Sequence, residues 1–216
     1  MSRTFTDRDD AGRQLGAAVR RTVKDRALLV LGLPRGGVPV AAGVAAALRA
    51  PLDVLVVRKV GVPGQPELAM GAVAAGGVEA RVDTVLRLLP GAERQFAAVA
   101  AKERAEVARR ERAYRGSRPA VQLAGHTVVL VDDGLATGAT MEAAIRACRA
   151  GNAARIVVAV PVAAPDSVAR LKPLADEIIC LEQPAGFAAV GQWYREFPQL
   201  ADDDVRRILG TADDVS

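Results

Sequence analysis

Aromatic residues are scarce in this chain: Phe, Tyr and Trp together make up 3% of its 216 residues. Any core must therefore be assembled from Ala, Val, Leu and Ile, and hydrophobic residues at 50% suffice for one. Cysteine is almost as rare. Cys148 and Cys180 stand far apart and outside any Cys-x-x-Cys pattern, which argues against a disulfide framework and against a thiolate zinc site. Cys148 falls among helix-forming residues and reads as core. The one histidine, His126, sits at the start of an apolar run, where it reads as a surface residue rather than a catalytic one. No apolar run approaches the roughly 18 residues of a membrane span. The opening Met-Ser-Arg-Thr-Phe-Thr-Asp-Arg-Asp-Asp holds no apolar leader. A cytoplasmic protein without membrane partners is expected. The net charge of +4 suits an anionic substrate such as a polyphosphate as well as it suits a nucleic acid.

What is present is an alternation of strands and helices. Asp7–Val23 carries Leu15, Val19 and Val23 at helical spacing, with Thr6 or Asp7 as N-cap. Apolar runs at 27–31, 53–57, 126–131, 155–160 and 177–180 read as strands, and 38–49, 138–150 and 165–171 as helices between them. That order predicts an α/β fold: a doubly wound, mostly parallel five-stranded sheet with right-handed crossovers. Residues 60–125 break the rhythm. A hairpin is expected at 69–82 and a long polar helix at 92–115, with Phe96, Val99 and Val107 as a thin apolar stripe and most of its surface solvated. Glu106–Arg110 and Glu111–Arg115 are spaced to pair along it. The run Asp202-Asp203-Asp204 reads as the acidic start of a last helix through Leu209.

The chemistry concentrates in Val128-Val129-Leu130-Val131-Asp132-Asp133-Gly134-Leu135-Ala136-Thr137-Gly138-Ala139-Thr140. A buried strand delivers two acids to its C-terminal end, where ligands of open α/β sheets bind. A tight loop of small residues follows and a helix begins. Small residues let backbone N–H groups approach phosphate oxygens, Thr137 and Thr140 offer hydroxyls, and the helix N-terminus favours an anion. Two carboxylates would repel a bare phosphate, but they suit a ligand that also carries hydroxyls, such as a phosphorylated ribose. The plainer alternative is an Asp-Asp-Gly turn with a Thr cap. No Gly-x-x-x-x-Gly-Lys-Ser/Thr occurs, and no Gly-x-Gly-x-x-Gly follows a strand, so neither a Walker loop nor a dinucleotide fold is indicated.

These thirteen residues resemble the signature by which type I phosphoribosyltransferases bind 5-phosphoribosyl-1-pyrophosphate (PRPP). The resemblance implies that Asp132 and Asp133 meet the ribose hydroxyls, one of them being a candidate base, and that Ala136, Thr137, Gly138, Ala139 and Thr140 hold the 5-phosphate. Leu33-Pro34-Arg35-Gly36-Gly37 resembles the pyrophosphate loop of the same enzymes, with Arg35 supplying charge and Gly36 and Gly37 backbone freedom. Lys59, in preference to Arg58, is implied at the diphosphate. Glu67 is a weaker candidate for metal or for anchoring a loop. Mg²⁺ is the implied cofactor, carried mainly by PRPP, with Asp132 and Asp133 reaching it through water.

Phe5-x-Asp7-Arg8, Arg58-Lys59 and the tail Phe187–Tyr194 extend the likeness to stand-alone bacterial phosphoribosyltransferases of unassigned acceptor. On that pattern residues 1–216 form one domain. Its core spans about 24–60 and 120–182, and its insertion about 61–119, of which about 78–119 is a mobile cover. A small hood comes from 1–15, part of the insertion and 183–216. Trp193 and Tyr194 either stack on a base or close a core edge. The implied reaction transfers phosphoribosyl from PRPP to a base-like nitrogen and releases pyrophosphate. A homodimer is a further expectation. The alternatives are a non-catalytic PRPP or nucleotide sensor, and a nucleic-acid binder using the 92–115 helix. The alternating Glu and Arg of that helix argue against nucleic acid.

Overall fold

The computed structural model describes residues 4–119 and 121–210. Helix α1 (Arg8–Thr22) starts at Asp7, whose Oδ1 accepts the Asp10 N–H at 2.7 Å. After it come β1 (Leu28–Gly32), α2 (Gly37–Leu48) and β2 (Leu52–Val54). The second half holds β6 (Thr127–Val131), α5 (Ala139–Ala150), β7 (Arg155–Val162), α6 (Pro165–Leu171), β8 (Glu177–Glu182) and α7 (Asp202–Leu209). The five strands form one sheet, ordered β2-β1-β6-β7-β8, and every neighbouring pair is parallel.

The strands are apolar on both faces because helices cover both. Leu29, Leu31, Val128, Leu130, Ile156 and Val158 point to one side and pack with Met141, Ile145 and Cys148 of α5. Burial pushes the Cys148 thiol up to about 12, as its core reading requires. Val30, Val129, Val131, Val157 and Ala159 point to the other side, against Leu15 and Val19 of α1 and Val40 and Val44 of α2. The strand period of two places alternate residues in separate cores.

The inserted segment departs from expectation in one respect. The run 53–57 is not a single strand: β2 ends at Val54, and β3 (Val57–Val62) belongs to a second, antiparallel sheet with β4 (Gln65–Ala74) and β5 (Glu79–Arg81), ordered β3-β4-β5. Leu55 and Val56 are both buried, but Leu55 joins the core under α5 and Val56 the core of the second sheet. Apolarity continues through a change of sheet because the chain passes from one core into another. Arg58 and Lys59 therefore lie inside β3, not at the tip of β2.

A short α3 (Asp83–Leu86) leads to α4 (Ala92–Arg115). Phe96, Ala100, Val107 and Tyr114 of α4 pack with Val60, Met70 and Val73 of the antiparallel sheet and with Val205 and Leu209 of α7. The buried face is wider than the stripe of Phe96, Val99 and Val107. It includes Tyr114, whose OH donates to Asp202 Oδ1 at 2.9 Å, and Arg115. The charged face pairs as spaced, with Arg110 on Glu106 at 2.6 Å and Arg115 on Glu111 at 3.1 Å. No described helix is long and apolar enough to cross a membrane.

Candidate functional site

The site starts where β6 ends. Leu135 is held by β7, its N–H donating to Val162 O at 3.0 Å and its carbonyl accepting the Ala164 N–H at 2.9 Å. Ser167 Oγ donates to Ala136 O at 2.5 Å. These bonds fix a loop that leaves Ala136, Thr137 and Thr140 exposed and Gly138 buried. Gly138 turns the chain into α5 with φ +66, a conformation that L side chains rarely adopt. The first N–H groups of α5 have no partner within the helix, so the loop faces solvent with donors and a partial positive charge.

Asp132 and Asp133 stand beside this cradle. Asp132 Oδ1 accepts the Asp133 N–H at 2.9 Å. Burial, and then the neighbouring charge of Asp133, push the Asp132 carboxyl well above the ordinary carboxylate value. Burial raises Asp133 too, with the Arg8 guanidinium pulling it back. Arg8 Nε and Nη2 both lie 2.9 Å from Asp133 Oδ2.

The loop after β1 presses against the two acids. Leu33 N–H donates to Val131 O at 2.9 Å, and the Pro34–Arg35 peptide is cis. A Cβ on Gly36 would sit 2.0 Å from Asp133 Oδ2, and one on Gly37 would sit 2.5 Å from Val131 O. Gly36 has φ −61, which any residue adopts. Glycine at 36 thus serves close approach, where the sequence pointed to backbone freedom.

Two cavities border the loop after β1. One, of about 620 Å³, is lined by Pro34, Lys59, Arg110, Ala139 and Thr140 among others. It joins the cradle to Lys59 although Lys59 comes from the antiparallel sheet. Arg58 lines it as well, paired with Glu103 of α4 at 2.7 Å. The other, of about 480 Å³, is bounded by Arg8, Arg35, Asp133, Val190, Phe197 and Gln199. The Arg35 side chain therefore borders a different cavity from Lys59, with its Nη1 4.0 Å from Asp202 Oδ1. The Glu67 side chain lies outside the described residues. Partly exposed His126, whose Nδ1 lies 3.2 Å from Ala124 O, borders neither cavity.

The family model of the phosphoribosyl transferase domain matches residues 8–192. The chain belongs to that family. Its α/β architecture, a five-stranded parallel sheet with a small antiparallel one, is the type I phosphoribosyltransferase fold. Among its relatives is Rv0571c of Mycobacterium tuberculosis H37Rv, named as a phosphoribosyl transferase. It is 51% identical over 211 residues, covering 96% of this chain and 47% of the relative. MT0597 of the CDC 1551 strain matches to the same extent. The chain spans about half the length of these curated relatives. The crystal structure of TT1426 from Thermus thermophilus superposes with a TM-score of 0.89 at 46% identity, covering 95% of this chain and 97% of that one.

Within this phosphoribosyltransferase fold, two residues beside the acids carry more than the sequence indicated. Arg8 was legible only as part of an opening pattern, yet its side chain reaches Asp133, 125 positions away. Tyr194 closes a core edge: it is 6% exposed, packs with Phe5 and donates its OH to Asp133 O at 2.6 Å. Its ring is not a free platform for a base. A basic residue beside two adjacent acids at a strand end is the signal that Arg8 lacked in one dimension.

Proposed function

We propose that this chain is a PRPP-dependent phosphoribosyltransferase that moves the 5-phosphoribosyl group to a base-like nitrogen and releases pyrophosphate. The observation that carries the reading is the pair Asp132 and Asp133 at the end of β6, followed directly by the loop into α5, whose Ala139 and Thr140 share a cavity with Lys59. In this reading residues 136–140 take the 5-phosphate through backbone N–H groups and the Thr137 and Thr140 hydroxyls. Asp132 and Asp133 take the ribose hydroxyls. Lys59 and the 34–37 loop meet the diphosphate. The second cavity, on the far side of Asp133, receives the acceptor, and residues 5–8 with 190–200 form its hood. Helix α4, whose Val99, Glu103 and Arg110 line the first cavity, belongs to the cover.

Displacement of diphosphate at ribose C1 passes through an oxocarbenium-like state that asks little covalent help of a protein. Positioning, charge neutralisation and exclusion of water suffice. Among the described residues no three His, Cys, Asp or Glu side chains gather as a metal cage. The adjacent carboxylates of Asp132 and Asp133 are hard oxygen donors that would meet, through water, a Mg²⁺ carried on the diphosphate. When bound it supplies charge neutralisation on the leaving group.

Pyrophosphate release from Mg-PRPP across a panel of purine and pyrimidine bases tests the proposal. Release that depends on one base class is expected. Binding of PRPP without release on any base would replace the enzyme reading with the sensor.

A further inference from the structure

Arg8 is an unusual first residue for a helix. A cation there opposes the helix dipole, so α1 gains nothing from it. Arg8 is nevertheless 8% exposed, and its guanidinium is fully engaged. Nε and Nη2 meet Asp133 Oδ2 at 2.9 Å, and Nη1 donates to Pro198 O at 2.8 Å. Its Cζ lies 3.8 Å from the centroid of the Phe197 ring. The Phe197 ring also packs on Tyr194, centroid to centroid 4.9 Å. One side chain thus binds the second acid of the pair and the wall of the second cavity at once.

We infer that Arg8 is a positioning residue that sets Asp133 for the ribose and ties that acid to residues 197 and 198 of the acceptor cavity. Both Arg8 contacts with the acid fall on Oδ2, so the guanidinium fixes the carboxyl through one of its oxygens. The Asp133 backbone is fixed separately by the Tyr194 hydroxyl on its carbonyl. Lysine cannot reproduce this arrangement, because an ammonium is a point charge and lacks the planar fork that serves the acid and the Pro198 carbonyl together. The inference rests on the phosphoribosyl reading of the site, and it assigns to α1 a role in donor binding although α1 contributes nothing to the phosphate cradle.

Calorimetry with three ligands separates positioning from general damage: Mg-PRPP, ribose 5-phosphate and inorganic pyrophosphate. Arg8→Met is expected to weaken Mg-PRPP and ribose 5-phosphate by roughly ten- to a hundredfold, the worth of a hydrogen bond to a charged group. Pyrophosphate affinity stays unchanged. The loss should vanish when Arg8→Met is made in an Asp133→Asn background, since the two changes act on one contact. Arg8→Lys recovers part of the affinity, and it supplies the same test should Arg8→Met fail to fold. Equal weakening of all three ligands, or a loss that persists in the Asp133→Asn background, overturns the inference. A wild-type protein that binds neither PRPP nor ribose 5-phosphate sinks the phosphoribosyl reading itself. Wild-type binding with an unaffected Arg8→Met sinks only the role of Arg8.

Discussion

Gly36 lies so close to Asp133 that a methyl group on its Cα would stand 2.0 Å from Oδ2 and 2.6 Å from Cγ. The obstacle is a carboxylate fixed by Arg8, not the free end of a flexible chain. Gly36→Ala must therefore displace the acid. A fall in Mg-PRPP affinity of about tenfold or more is expected, since small misplacements of a positioning group are costly. Gly186→Ala is the control, because nothing lies within 4 Å of a Cβ there. Calorimetry on both variants checks this, and equal affinities would contradict it.

Arg115, at the end of α4, holds Asp53 of β2 through two parallel bonds, Nε to Oδ1 at 2.9 Å and Nη2 to Oδ2 at 3.0 Å. The pair joins the inserted helix to the edge of the main sheet, and the Arg115 side chain is 5% exposed. Arg115→Met leaves Asp53 without its cation and is expected to cost about 3 kcal/mol, as breaking a buried pair does. Urea unfolding measures it. Stability unchanged within error would show that α4 is held by its apolar face alone.

The acids should make the apo protein less stable as pH rises. The Asp132 carboxyl lies above its ordinary value of 3.8 in the folded state, through burial and the charge of Asp133. The folded state thus binds that proton more tightly than the unfolded chain. Its favourable contribution is complete below 3.8 and is lost as pH rises through the higher folded value. Asp132→Asn removes the share of the dependence that Asp132 carries. The variant should melt higher than wild type at pH 8, and the gap should close on acidification. A gap that does not narrow on acidification would contradict this origin.

Much of this fold can be read in the sequence, for a physical reason. Helices 92–115, 165–171 and 202–209 and the strand at 126–131 announce themselves by period and β-branched runs, and they form within a residue of those bounds. The parallel sheet follows from their alternation. The end of β2 at Val54 was not legible, because an apolar run looks the same whether it stays in one core or passes into a second. The loop at 136–140 was legible as a candidate because its residues are contiguous. The Arg8–Asp133 and Arg115–Asp53 pairs were not. Their partners stand 125 and 62 positions apart, and a lone Arg on a helix looks like solvated surface until the fold buries it.

Titration of Mg-PRPP into wild-type protein and into the Asp132→Asn, Asp133→Asn double variant tests the central claim most directly. Saturable binding by the wild type, and its loss in a double variant with unchanged circular dichroism, is the predicted result. Undiminished affinity in that variant would contradict the assignment of the phosphoribosyl site to the end of β6.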